Sequence, residues 1–73
     1  MTEKKLINLW ETVLKNKNID MSRSLFENGG TSLQAILLAD LISKEFKTTF
    51  SVLEIFQLPK IKDQSKFLSM ERV

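Results

Sequence analysis

Asn28-Gly29-Gly30-Thr31-Ser32-Leu33-Gln34-Ala35-Ile36-Leu37-Leu38-Ala39-Asp40-Leu41-Ile42 is a turn that delivers one serine to the start of an apolar helix. Asn28, Gly29 and Gly30 are three consecutive residues that tolerate positive φ, so the chain is expected to turn sharply there. Thr31 followed by Gln34 is a capping box: the threonine oxygen accepts the third helical amide and Gln34 reaches back to the cap residue. With Thr31 as N-cap, Ser32 becomes the first helical residue and its hydroxyl is left unused by capping; serine is itself a strong cap, so Ser32 as the N-cap is the alternative assignment. The chain contains neither histidine nor cysteine, so Ser32 has no imidazole base and no thiol beside it. A hydroxyl presented openly with nothing to activate it reads as a site where another enzyme attaches something.

The helix begun at Ser32 runs to Phe46 and is apolar around most of its circumference. At about 100° per residue, Ala35, Leu38, Ala39, Ile42 and Phe46 form one arc. Leu33, Ile36, Leu37 and Leu41 form a second arc nearly opposite, around Asp40 and Lys44. A domain of 73 residues cannot easily bury a helix on all sides. The arc starting beside Ser32 is therefore the expected docking face for other proteins, made of Leu33, Ile36, Leu37, Asp40 and Leu41.

Outward from this element, residues 2–17 carry Leu6, Ile7, Trp10, Val13 and Leu14 at helical spacing, with Trp10 as a core anchor. Thr2 is placed to cap that helix, and Lys15 and Lys17 to complement its negative end. Residues 18–31 lack a sustained period and read as a compact loop pinned to the core by Leu25 and Phe26. Ser51 and Glu54 form a second capping box that opens a short third helix, closed by Pro59. Thr48-Thr49-Phe50 has β propensity and suggests a brief extended segment. A last helix over residues 62–70 is marked by Phe67 and Leu68 after Ile61.

Composition narrows the function. The formal charge is +2 with signs interspersed, and Lys60, Lys62 and Lys66 read as a solvated face. There is no apolar run long enough for a signal peptide or a membrane span. The lack of cysteine fits a reducing cytoplasm and rules out disulfides and thiolate metal sites. Intrinsic serine catalysis lacks a base, and Gly-Gly-Thr-Ser lacks the lysine and spacing of a P-loop. A DNA-reading helix would expose Arg, Lys, Asn or Gln where this one exposes Leu and Ile. The chain is thus expected to act without catalysing, and without nucleic acid or membrane partners.

Leu25-Phe26-Glu27-Asn28-Gly29-Gly30-Thr31-Ser32-Leu33 resembles the attachment motif of peptidyl carrier (thiolation) domains of nonribosomal peptide synthetases, within the acyl carrier protein-like superfamily. Leu9-Trp10-Glu11-Thr12-Val13-Leu14 is similar to the family's first helix, and Leu53-Glu54-Ile55-Phe56-Gln57-Leu58-Pro59-Lys60-Ile61 to its third helix and the following turn. The resemblance implies an all-α fold, a small four-helix bundle of three main helices and one short one, with residues 1–73 as a single carrier domain and a monomer. It implies that a phosphopantetheinyl transferase moves 4′-phosphopantetheine from coenzyme A to Ser32, with Gly29, Gly30, Thr31 and Leu33 around the attachment point. It implies adenylation, condensation or thioesterase-type enzymes as partners, and aminoacyl or peptidyl thioesters as cargo. A polyketide-type acyl carrier is the neighbouring alternative, and an unmodified helical interaction domain the alternative of a different class. Fatty-acid carriers typically have a strongly acidic second helix, whereas this one has Asp40 and Glu45 against Lys44, so recognition is expected to be mostly apolar. Asn28 stands where the family commonly has leucine, which predicts one missing contact between loop and core.

Overall fold

The computed structural model describes residues 2–71, and side chains over residues 2–69. Four helices follow one another: α1 over Thr2–Leu14, α2 over Ser32–Phe46, α3 over Val52–Gln57 and α4 over Ile61–Glu71. No strand occurs among the described residues. The fold is all-helical, as the periodicities and the resemblance implied.

Helix α1 turns its stripe inward, with Leu6, Trp10 and Val13 buried and Ile7 and Leu14 packed against the same core. It ends three residues earlier than the predicted Lys17. Lys15 adopts the left-handed conformation at φ 55°, and the Asn16 amide donates to the Glu11 carbonyl at 3.3 Å, which closes the helix end. Lys15 and Lys17 therefore lie beyond the last turn rather than in it. Thr2 is itself the first helical residue, so the position ahead of it that would cap α1 is Met1, outside the described residues.

Helix α2 is the centre of the bundle, packed against both α1 and α3, while α4 packs against α1. Its buried residues are Ala35, Leu38, Ala39 and Ile42, the first of the two arcs. Two alanines on that arc let neighbouring backbones approach closely while Leu38 and Ile42 fill the space between them. After Phe46 the chain leaves through Lys47 in the left-handed conformation, φ 52°. The β-prone Thr48-Thr49-Phe50 forms no ladder. Instead the Ser43 hydroxyl donates to the Phe50 carbonyl at 2.7 Å and accepts from the Phe50 amide at 3.0 Å. One side chain thus satisfies both backbone groups that a strand would have paired.

Ser51 caps α3, its amide donating to Glu54 Oε1 at 2.8 Å and its hydroxyl to the same oxygen at 2.5 Å. Pro59 follows the last turn, as its missing amide requires. The core closes with Phe50, Ile55, Ile61 and Leu68. At its centre Trp10 Nε1 donates to Gln64 Oε1 at 3.1 Å, and Gln64 Nε2 donates to the Leu58 carbonyl at 2.8 Å. Gln64 is fully buried, and these two bonds are what make that tolerable.

Candidate functional site

The loop between α1 and α2 places the serine. Leu25 is fully buried and its amide donates to the Pro59 carbonyl at 3.1 Å, so the loop is tied to the corner between α3 and α4. Phe26 stacks on Phe56 of α3 with ring centroids 5.4 Å apart and planes 12° from parallel. Ser24 and Glu27 form a small capping pair of their own: the Ser24 amide donates to Glu27 Oε1 at 2.8 Å, and the Glu27 amide to Ser24 Oγ at 3.1 Å.

Of the three residues that tolerate positive φ, one uses that freedom. Only Gly29 is left-handed, at φ +95°. Gly30 is required for a different reason, namely space: a Cβ there would lie 2.7 Å from Leu25 Cγ and 2.8 Å from the Leu25 carbonyl oxygen. Asn28 is not in positive φ, and its side chain bonds within the loop rather than to the core. Its Oδ1 accepts from the Asp20 amide at 2.9 Å, and its Nδ2 faces the carbonyls of Asp20 and Ser24 at 3.0 Å each and of Arg23 at 3.4 Å. The apolar contact expected of leucine is replaced by a polar one to the loop itself.

Thr31 is the N-cap of α2, with extended backbone at φ −108°, ψ 171°. Its Oγ1 accepts from the Gln34 amide at 3.2 Å, and its own amide donates to Gln34 Oε1 at 2.9 Å, completing the predicted box. Gln34 also donates through Nε2 to the Val13 carbonyl at 3.2 Å, which fixes the start of α2 against the end of α1. Ser32 is exposed, and its hydroxyl has no hydrogen-bond partner among the described residues. The amides of Ser32 and Leu33 are also unengaged there, because the cap consumes the Gln34 amide and the Thr31 carbonyl takes the Ala35 amide. Two free amides at the positive end of a fifteen-residue helix favour an anion beside Ser32. The residues present therefore fit a phosphodiester attached through this hydroxyl.

The second arc of α2 stays open. Leu33, Ile36 and Leu37 are 67%, 53% and 51% exposed, and α3 adds Leu53 at 60% and Phe56 at 53%. Leu41, at the far end of the arc, is half-buried and packs against the core. Asp40 is exposed and pairs with Lys44 at 3.1 Å. Leu53 and Phe56 were not singled out from the sequence as surface residues. The signal for them is the pair of i, i+3 stripes in α3: Val52 with Ile55 turns inward, leaving Leu53 with Phe56 on the next face. Among the described residues no group of three or more acidic side chains gathers into a cluster able to hold a metal ion. No helix there is long and apolar enough to cross a membrane.

Residues 4–68 match the family model described as "Phosphopantetheine attachment site". The chain belongs to that family. It carries the all-helical carrier fold, and phosphopantetheine is the family's prosthetic group. The chain is 42% identical over 67 residues to bacitracin synthase 3 of Bacillus licheniformis, a match covering 92% of this chain and 1% of that protein. It thus spans only a small fraction of the curated relatives it matches. Among solved structures, it is similar to a chain in the complex of the phosphopantetheine transferase Sfp with coenzyme A and a peptidyl carrier protein. That match has 27% identity, a TM-score of 0.88, and covers 96% of this chain and 91% of the other. It is also similar to NpsA-ThdA, an artificially fused adenylation–peptidyl carrier di-domain from Klebsiella oxytoca. There the identity is 25%, the TM-score 0.89, and the coverage 99% of this chain and 14% of that one.

Proposed function

We propose that residues 1–73 are a single, non-catalytic carrier domain of nonribosomal peptide biosynthesis, modified with 4′-phosphopantetheine on Ser32. The observation that carries this reading is the exposed Ser32 hydroxyl, unpartnered at the start of α2 beside two free amides. In the modification, Ser32 Oγ bonds to the pantetheine-bearing phosphorus of coenzyme A. The bond from that phosphorus to adenosine 3′,5′-bisphosphate breaks, and the hydroxyl proton passes to a base of the transferase. The transferase supplies base and metal, which accounts for a site without histidine, cysteine or an acidic cluster. When bound, the prosthetic group supplies the thiol on which aminoacyl or peptidyl cargo is held as a thioester.

This chain's own residues do the presenting. Gly29 turns the backbone, Gly30 lets it pass against Leu25, and Thr31 locks the first turn so that Ser32 stays free. Leu33, Ile36, Leu37, Asp40 and the edge of Leu41 form the face on which enzymes dock. The partners are a phosphopantetheinyl transferase and adenylation, condensation or thioesterase-type enzymes, met by a cytoplasmic monomer. The complex of a peptidyl carrier with a transferase and the adenylation–carrier fusion, both similar in fold, support the transferase and adenylation members of that set.

Intact mass after incubation with coenzyme A, Mg²⁺ and a broad-specificity phosphopantetheinyl transferase tests the reading, with Ser32→Ala alongside. One added phosphopantetheine in the wild type and none in Ser32→Ala is the expected result. No addition to folded wild-type protein by any of several transferases refutes it and leaves an unmodified interaction bundle.

A further inference from the structure

Asn28 is the most heavily hydrogen-bonded side chain of the loop that carries Ser32. Its amide joins two turns that the chain otherwise builds separately. The first is the Asp20 turn, in which Asp20 Oδ1 accepts from the Ser22 amide at 2.9 Å and Arg23 lies 3.2 Å from Oδ2. The second is the turn from Ser24 to Gly30, closed by Ser24 with Glu27 and by the Gly30 amide on the Leu25 carbonyl at 2.9 Å. Asn28 belongs to the second, yet its side chain accepts from the Asp20 amide and donates to the Asp20 carbonyl eight residues upstream. Its own amide is held by the Ser24 and Leu25 carbonyls at 3.1 and 3.2 Å. Both ends of the residue are thereby fixed, and Gly29, the one left-handed glycine, follows immediately.

We propose that Asn28 is a positioning residue for the reaction at Ser32: its side-chain amide clamps residues 20–23 onto residues 24–30 and so holds the glycine turn in the conformation that presents the serine. This rests on Ser32 being the modified residue. The geometry singles out asparagine, because only a side chain with both an acceptor and a two-proton donor serves the Asp20 amide and the facing carbonyls together. Aspartate has the same shape but no donor, and sets a carboxylate against three carbonyl oxygens. Leucine at this position would make none of these bonds.

If the clamp selects the presenting conformation, loosening it lowers the fraction of molecules a transferase can engage. Apparent affinity then falls by that fraction, while turnover of the bound complex is unchanged. Asn28→Asp and Asn28→Ala are therefore compared with wild type by transferase kinetics and by amide hydrogen exchange. The expected result is a KM for the carrier raised by about tenfold with kcat kept, in line with losing one or two net hydrogen bonds. Exchange should quicken at Asp20, Gly29 and Gly30 and stay unchanged in α1 and α4. Equal quickening across all helices would make Asn28 a general stabilising residue and overturn the proposal, as would unchanged KM with locally quickened exchange. If wild-type protein accepts no phosphopantetheine, the reading of Ser32 fails by itself. The exchange pattern still decides whether Asn28 is the clamp.

Discussion

Two adjacent glycines precede the serine, and they are needed for different reasons, so alanine should cost different amounts at each. At Gly30 the backbone is in an ordinary region, but the added Cβ meets Leu25 Cγ at 2.7 Å, the Leu25 carbonyl oxygen at 2.8 Å and Leu14 Cδ2 at 3.3 Å. Leu25 cannot retreat: it is fully buried, its amide is tied to Pro59, and its carbonyl accepts the amides of Gly30 and Asn28. Overpacking of this kind costs about 1–3 kcal/mol, and a fixed carbonyl puts Gly30→Ala at the upper end. Restricting the unfolded chain returns up to about 1 kcal/mol, leaving a net loss of about 2 kcal/mol.

At Gly29 there is nothing within 4 Å of the added carbon, and only φ +95° opposes it. An L-residue in left-handed backbone costs about 1–2 kcal/mol, and the same unfolded-state gain leaves a net loss of about 1 kcal/mol or less. Each kcal/mol moves the midpoint of a domain this size by about 4–8 °C. Thermal unfolding followed by far-ultraviolet circular dichroism should therefore show Gly30→Ala falling by about 8–16 °C and Gly29→Ala by about half of that or less. Gly29→Asn should lie closer to wild type than Gly29→Ala, since asparagine tolerates positive φ. A Gly30→Ala protein as stable as wild type, or less damaged than Gly29→Ala, would show that Leu25 is free to move and that the steric argument is wrong.

Replacing Ile36 with Asp leaves the melting temperature nearly unchanged, because the side chain is largely exposed, with a stability change within about 0.5 kcal/mol. Turnover by partner enzymes should fall, and a large loss of stability instead would show that this arc is covered. Gln64→Leu strands the buried Trp10 indole N–H, at about 1–3 kcal/mol, and also frees the half-buried Leu58 carbonyl, partly offset by apolar burial. Urea unfolding with a shift in tryptophan emission reads this out, and no change in either would mean water replaces the amide. The hydrogen bonds from Ser51 hold the Glu54 carboxyl below its usual 4.5. Its folded pKa is depressed, so its contribution is present above the unfolded value and is lost as pH falls through the lowered one. Glu54→Gln should flatten the acid limb of the stability profile below about pH 4.5, lowering stability slightly at neutral pH, where the ionised carboxylate contributes, and changing it little in acid.

What was legible in the sequence was what is local. The capping boxes at Thr31 and Ser51 involve residues three apart, and both are present. The two arcs of α2 follow from helical period alone, and the structure buries one and opens the other. Leu25 and Phe26 were recognisable as anchors because they are the bulky apolar pair just ahead of the glycine turn. What stayed hidden depends on groups that meet only after folding. Gln64 reads as one polar residue of a weakly periodic helix until Trp10, fifty-four positions away, supplies its donor. Asn28 reads as a turn former until Asp20 comes within reach of its amide. The end of α1 was misplaced because Lys15 and Lys17 suit a helix terminus electrostatically, whereas the left-handed turn at Lys15 decides it. Leu53 and Phe56 were missed because six residues show each stripe only as a single i, i+3 pair, and nothing local says which pair turns to the core.

The pairing of charges on α2 leads to one further expectation, about salt. Asp40 is neutralised by Lys44 at 3.1 Å on its own helix, and Glu45 faces Lys5 of α1 at 4.0 Å. Neither carboxylate is left to make a long-range field over the face that begins at Ser32, and that face is otherwise Leu33, Ile36 and Leu37. Steered association needs an uncompensated charge of one sign, and its rate falls steeply with ionic strength. Apolar contact involves no such charge and is little affected by a shorter Debye length. The kcat/KM for transferase modification should therefore change by less than about twofold as the Debye length shortens from about 10 Å at 0.1 M salt to about 3 Å at 1 M. Lys44→Ala sharpens the test, because it frees Asp40 and should introduce a salt dependence that the wild type lacks. A steep decline already present in the wild type would mean that charge outside α2, on the loop or on α4, guides the encounter, and the apolar face would then serve the bound complex rather than its formation.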